Sequence, residues 1–150
     1  MASTFSNILF HIIFSTKHRQ PLINPALRER LYPFIGGITR DEGGSLLSVG
    51  GVEDHIHLLV RWSTDRGVAA LVRNIKSRSS AWIHEEFPDT ASFAWQSGYA
   101  VFSVSESSRE SVVKYIESQE QHHRVRSFKE ELIEFLDRHG VDYDEQYVVD

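Results

Sequence analysis

The chain has 150 residues, 41% of them hydrophobic and 25% charged, with a formal net charge of -5 and no cysteine. That length and balance fit one globular domain able to bury a core, and the missing cysteines exclude a disulfide scaffold or a thiolate metal site. No apolar run approaches the ~20 residues of a membrane span, and the N-terminus lacks the basic-then-apolar layout of a signal peptide, so a cytoplasmic protein with no membrane partner is expected.

In chain order, Phe5 to Thr16 is apolar and β-prone and reads as a first strand. Pro25 opens a helix from Ala26 to about Asp41, with Leu27, Leu31, Phe34, Ile35 and Ile38 as its apolar stripe, and Gly43-Gly44 ends it. Ser45–Val52 and His55–Trp62 read as two strands joined by a short turn at Glu53-Asp54. Thr64 or Asp65 caps a second helix to about Glu86, which Pro88 breaks, and Phe93 to Val104 is a fourth strand. A helix capped by Ser105 or Ser108 then runs to about His123. A last amphipathic helix, about Ser127 to His139, is stopped by Gly140, and the acidic, aromatic tail 141–150 is expected to pack on the body. The order β-α-β-β-α-β predicts an α+β fold, a ferredoxin-like split antiparallel sheet with two added C-terminal helices. One domain is expected over residues 1–150: a core of about 5–105, a helix at about 106–123 and a C-terminal helix and tail at about 127–150.

The third strand carries the most telling pattern, Asp54-His55-Ile56-His57-Leu58-Leu59-Val60. Side chains alternate along a strand, so His55 and His57 share one face while Ile56, Leu58 and Val60 point to the other. Two imidazoles side by side on a rigid strand make a clamp for a divalent metal. A lone His-x-His is more often structural or on the surface. In the helix that follows the fourth strand, Tyr115 and Gln119 are four apart and share a helix face. Taken alone, Tyr115 is plainly read as an aromatic packing with Val112 and Ile116.

Together these residues resemble a known family. His55-Ile56-His57 matches the His-hydrophobic-His motif, and Tyr115-x-x-x-Gln119 matches the tyrosine helix, of the single-tyrosine HUH transposases of small bacterial insertion sequences and their relatives associated with repetitive extragenic palindromes. The stretch from Phe10 to Arg19 resembles the family's first strand and its basic exit, Asn74 to Ser80 its central basic helix, and Trp95 to Ser105 the Trp-led strand before the tyrosine helix. The resemblance implies a DNA transposase that cleaves and rejoins hairpin-bearing single-stranded DNA through a 5′-phosphotyrosine link. It implies Tyr115 as the catalytic nucleophile, His55, His57 and Gln119 as metal ligands, and Mg²⁺ or Mn²⁺ as cofactor. In several relatives the tyrosine helix is exchanged within a homodimer and others work as monomers. A homodimer is expected here, with a monomer possible.

An acidic chain is an unusual partner for DNA, but its charge is uneven. Residues 1–40 carry five Lys+Arg against one Glu, residues 61–82 five against one Asp, and residues 106–150 six against twelve Asp+Glu. A phosphate backbone responds to a local basic patch. Lys17, His18, Arg19, Arg73, Lys76 and Arg78 are the candidate DNA contacts. Trp95, Tyr99 and Phe102 could stack bases, although strand aromatics are more often core. Two other classes stay open: a metal-dependent hydrolase using the two histidines with a carboxylate such as Asp54, and a non-catalytic nucleic-acid-binding ferredoxin-like domain. The first would survive loss of Tyr115, and the second would need neither metal nor tyrosine.

Overall fold

The structure is a computed structural model that describes residues 3–148. Its strands are β1 (Ile8–Ser15), β2 (Ser45–Val52), β3 (His55–Trp62) and β4 (Ala100–Val104), and its helices are α1 (Pro25–Asp41), α2 (Val68–Glu86), α3 (Arg109–Glu117), α4 (Gln119–His122) and α5 (Phe128–Arg138). The strands form one antiparallel sheet in the order β2-β3-β1-β4, the split ferredoxin-like arrangement expected from the order of elements. β3 is central, and its histidines pair with Ile13 and Ser15 of β1 on one side and with Gly50 and Val52 of β2 on the other.

Pleating divides the sheet into two unlike faces. Ile12, Phe14, Ile56, Leu58 and Val60 point to the side covered by α1 and α2, where Leu27, Leu31, Ile35, Ile38, Leu71, Val72, Ile75 and Ile83 close a dry core. Each such side chain contributes about 1.5–3 kcal/mol on burial, so this face carries most of the stability. Two devices fix α1: Asn24 caps it by accepting from the Leu27 N–H at 2.8 Å, and Pro25 supplies a preset φ at the first position.

The second face presents Leu9, His11, Ile13, Ser15, His55, His57 and Leu59, and receives α3 and α5. α3 approaches β2 very closely: a Cβ on Gly50 would lie 2.1 Å from the Ile116 carbonyl oxygen, so only glycine permits this contact. α5 begins at a capping box between Ser127 and Glu130. It ends in a Schellman turn, with Val141 N–H donating to the Leu136 carbonyl and Gly140 at φ 64°.

Several boundaries differ from the sequence expectation. β1 starts at Ile8, and Phe5 is exposed. β4 starts at Ala100 because 93–99 leaves the ladder after one bridge, Thr16 to Trp95, to arch over α2. α2 begins at Val68 after Gly67, with neither Thr64 nor Asp65 as its cap. The tyrosine helix breaks at Ser118 (φ -105°, ψ 25°), which starts a new turn at Gln119. Within the tail, Val148 packs against α5 and β4, and Tyr147 is exposed; residues 149–150 lie outside the described residues. No helix among the described residues is long and apolar enough to cross a membrane.

Candidate metal and tyrosine site

Both imidazoles of the His-Ile-His run are fully buried on the second face, aimed at the gap between α3, α4 and α5. A buried imidazole needs partners at both nitrogens, and each of these has them. His55 Nδ1 is 2.7 Å from Asp54 Oδ1, and His57 Nδ1 is 2.8 Å from His11 Nε2. This leaves both Nε2 atoms facing the same gap. A nitrogen held from behind while the other looks inward is the usual arrangement of a ligating histidine.

Four further side-chain oxygens and the His123 imidazole enter the gap. Gln119 Oε1 lies 3.1 Å from His55 Nε2, and the α3–α4 break aims it there. Glu131 Oε1 lies 3.0 Å from His57 Nε2 and 3.4 Å from His55 Nε2. His123 Nε2 is 3.1 Å from both Gln119 Oε1 and Glu131 Oε1, and its Nδ1 is tied to the Arg126 carbonyl at 2.9 Å. The Tyr115 hydroxyl donates a short hydrogen bond to Glu131 Oε2, and Arg126 Nη2 approaches the same hydroxyl at 3.4 Å.

The electrostatics follow from burial and this one carboxylate. Burial alone would lower the His55 pKa, but hydrogen bonds to Asp54 and Glu131 outweigh it and raise it to about 9. Burial wins at His57, taken down to about 4 against the pull of Glu131, and at His11, taken down to about 3 with help from His57. Burial opposes ionisation of Glu131, yet hydrogen bonds from His123, His55 and His57 hold its carboxyl far below the usual range. Burial and the neighbouring Glu131 push the Tyr115 phenol up. Nε2 of His55, Nε2 of His57 and a Glu131 oxygen lie within 4.8 Å of one another, so these three buried residues fit a divalent ion. Imidazole with carboxylate and amide oxygen suits a borderline-to-hard metal such as Mn²⁺.

The other sequence candidates scatter. Lys17, His18 and Arg19 form an exposed 3₁₀ turn at the exit of β1, with His18 (φ 57°) and Arg19 (φ 54°) in the left-handed region. Arg19 also lines a cavity of about 330 Å³ with Asp54, His123, Arg126 and Phe128, beside the buried cluster. α2 lies on the opposite face of the sheet. There Arg73 is exposed, Arg78 pairs with Asp41 at 3.3 Å, and the Lys76 ammonium donates to the Gln96 and Gly98 carbonyls at 2.9 and 2.5 Å. Burial lowers the Lys76 pKa to about 8. Arg73, Lys76, Trp95 and Tyr99 line a separate cavity of about 580 Å³. Trp95 and Phe102 are buried, and Tyr99 alone of the three strand aromatics is exposed. Asp54 stands behind His55, on Nδ1, and is outside the converging donor set.

Sequence reasoning missed Glu131, His123 and His11. A signal existed for the first: Glu131 sits between Phe128 and Phe135 at helical spacing, an acid on the apolar stripe of α5. His11 likewise interrupts an apolar strand.

Known proteins resemble this chain in fold and in sequence. The solved structure of a REP-associated tyrosine transposase bound to a REP hairpin superposes with a TM-score of 0.57 at 14% identity, covering 77% of this chain and 70% of that one. The crystal structure of a candidate transposase from Deinococcus radiodurans superposes with a TM-score of 0.66 at 23% identity, covering 79% of this chain and 95% of that one. In sequence, the ISDra2 transposase TnpA of Deinococcus radiodurans is 24% identical over 115 residues, 73% of this chain and 82% of that protein. The family described as "Transposase IS200 like" matches residues 4–119, from before β1 to the glutamine of the site, and the chain therefore belongs to the IS200-like, single-tyrosine transposase family.

Proposed function

We propose that this chain cleaves and rejoins hairpin-bearing single-stranded DNA by transesterification, with Tyr115 as the nucleophile. The observation that carries this reading is that Glu131 joins the Tyr115 hydroxyl to the buried His55, His57 and Gln119 cluster within one chain. The reading takes residues 1–150 as one domain whose core supplies the histidines and whose tyrosine helix supplies the nucleophile.

His55, His57 and Gln119 would hold the ion, Mg²⁺ or Mn²⁺, with Asp54 and His11 fixing the rings from behind. When bound, the ion supplies positive charge to a non-bridging oxygen of the scissile phosphate. The phenol oxygen attacks phosphorus, the bond from phosphorus to the 3′ oxygen breaks, and the proton lost by the phenol is made good at the departing 3′ oxygen by exchange with solvent, giving a 5′-phosphotyrosine and a free 3′-OH. That 3′-OH can attack such a link in turn, so the phosphodiester energy is conserved and no nucleotide cofactor is required. Arg126, 3.4 Å from the Tyr115 oxygen, stands where it can stabilise the phenolate. His55, His57 and Glu131 are sealed in this state, so DNA entry requires α5 to shift, and the adjoining cavity at Arg19 and Arg126 is the natural approach. Lys17, His18 and Arg19 are the backbone contacts nearest that mouth, and Arg73, Lys76 and Arg78 serve more remote DNA. A full residue set in one chain supports action by Tyr115 in its own subunit, whether the protein is a homodimer or a monomer.

The test is covalent capture. A labelled hairpin oligonucleotide with a single-stranded flank, incubated with protein and Mn²⁺, is expected to give an adduct that survives denaturation. Tyr115→Phe should abolish the adduct, and His57→Ala should reduce it at least about a hundredfold. Both should still bind the oligonucleotide. An adduct of normal yield with Tyr115→Phe would move the nucleophile elsewhere, with Tyr99 the next candidate. No adduct with the unaltered protein would leave a binding domain.

A further inference from the structure

We propose that Glu131 is an additional ligand of the metal centre and also the residue that positions the Tyr115 hydroxyl, so that α5, which lies beyond the family-matched residues 4–119, completes the site. The role toward Tyr115 rests on the phosphotyrosine reading; the ligand role does not.

Donor spacing supports the ligand role. Bonds of about 2.1 Å to a common centre place two donors about 3.0 Å apart at a right angle and about 3.4 Å apart at the tetrahedral angle. Glu131 Oε1 stands 3.0 Å from His57 Nε2 and 3.4 Å from His55 Nε2, while Gln119 Oε1 stands 3.1 Å from His55 Nε2. These separations match those expected of donors around one ion.

Placing a carboxylate there is costly. Glu131 is 0% exposed, and glutamate is almost never fully buried unless paired. Phe128 and Leu132 anchor the helix on Ile13 and Phe102, so the carboxylate is delivered by packing that surrounds it in α5. A salt bridge needs one partner; Glu131 Oε1 has three imidazole nitrogens within reach, two of them on β3.

The second oxygen serves the tyrosine. Oε2 accepts from the Tyr115 hydroxyl while Oε1 faces the histidines, so one rigid carboxylate fixes the distance between nucleophile and metal. Two histidines and a glutamine are a neutral ligand set. A carboxylate adds a negative charge and a hard oxygen, which raises affinity for Mn²⁺ and Mg²⁺.

The experiment is Mn²⁺ titration by calorimetry on the full chain, with the visible spectrum of the Co²⁺ form as a second readout. Glu131→Gln is nearly isosteric, and its folding can be checked by circular dichroism and Tm. Glu131→Gln and Glu131→Ala are each expected to weaken Mn²⁺ binding about tenfold or more and to change the Co²⁺ bands, whereas Tyr115→Phe, which keeps every proposed ligand atom, shifts affinity less than either. Wild-type affinity and spectrum in a folded Glu131→Gln protein would overturn the proposal. So would faster adduct formation at unchanged affinity, because Glu131 would then be only a cover over the histidines. If the unaltered protein forms no DNA adduct but Glu131→Gln still loses metal, the ligand assignment stands and the phosphotyrosine reading falls.

Discussion

The two faces of the sheet are built on opposite principles. Under α1 and α2, β3 sends in Ile56, Leu58 and Val60, which join one large apolar cluster. Under α3 and α5 the same strand sends in His55 and His57, and the gap is filled by Glu131, Gln119, His123 and the Tyr115 hydroxyl. Burying so many polar groups is unfavourable unless each is paired, and a paired cluster of this kind is weak as a source of stability. One face therefore holds the sheet rigid, and the other uses that rigidity to fix donor atoms within a few ångströms. The general lesson is that stability and chemistry can be assigned to alternate residues of one strand.

That contrast can be broken from either side. Leu58→Ala opens a hole in the dry face and should cost about 2–5 kcal/mol in unfolding free energy, measured by urea denaturation. Activity per folded molecule should stay near normal, because the Leu58 side chain points into the core on the face opposite the histidines. A large fall in activity at full folding would show that the faces are not independent.

Gly50→Ala strikes the other side. Its Cβ would meet the Ile116 carbonyl at 2.1 Å, so α3 must move and carry Tyr115 with it. Adduct formation is expected to fall by about a hundredfold, from misplacement alone, with little change in the α1–α2 core. An unchanged rate would mean that α3 tolerates displacement and that Tyr115 is not held by this contact.

A smaller effect concerns pH. His55 faces Asp54, Glu131, His57 and His123, and its pKa is raised from 6.5 to about 9 in the metal-free fold. A group raised in this way stabilises the fold fully below its unfolded pKa, and the contribution is lost as pH climbs through the folded value. The metal-free protein should therefore lose Tm as pH rises from about 7 toward 9. An ion at Nε2 must displace that proton, so Mn²⁺ affinity should rise by up to about tenfold per pH unit over the same range, with a proton released on binding. Calorimetry in buffers of different ionisation enthalpy reads that proton, and no release would mean His55 is neutral beforehand.

The smallest expected effect is at the remote cavity. Lys76 is occupied by the Gln96 and Gly98 carbonyls, which leaves Arg73 as the freer cation of that wall. Arg73→Ala should flatten the dependence of log affinity on log salt by about 0.7 on single-stranded DNA. The wild-type slope would show that DNA does not cross this wall.

Much of this was legible in the chain itself. Alternation placed both histidines of 54–60 on one face and Ile56, Leu58 and Val60 on the other, because the period of a strand is fixed by backbone geometry. The helix stripe of α1 and the i, i+4 spacing of Tyr115 and Gln119 were readable for the same reason, because they depend on neighbours in sequence, and the split sheet followed from the order of elements. What only the tertiary structure decided is which distant residues meet. Glu131 lies 74 residues from His57 and His11 lies 46, and nothing local specifies either contact. The break at Ser118, the early exit of 93–99 from the sheet and the turning of Lys76 onto carbonyls are likewise outcomes of packing, where long-range contacts outweigh local preference. The motif residues were marked by spacing, but the carboxylate between them was delivered by a helix whose apolar stripe had to dock before its one buried charge could find its partners.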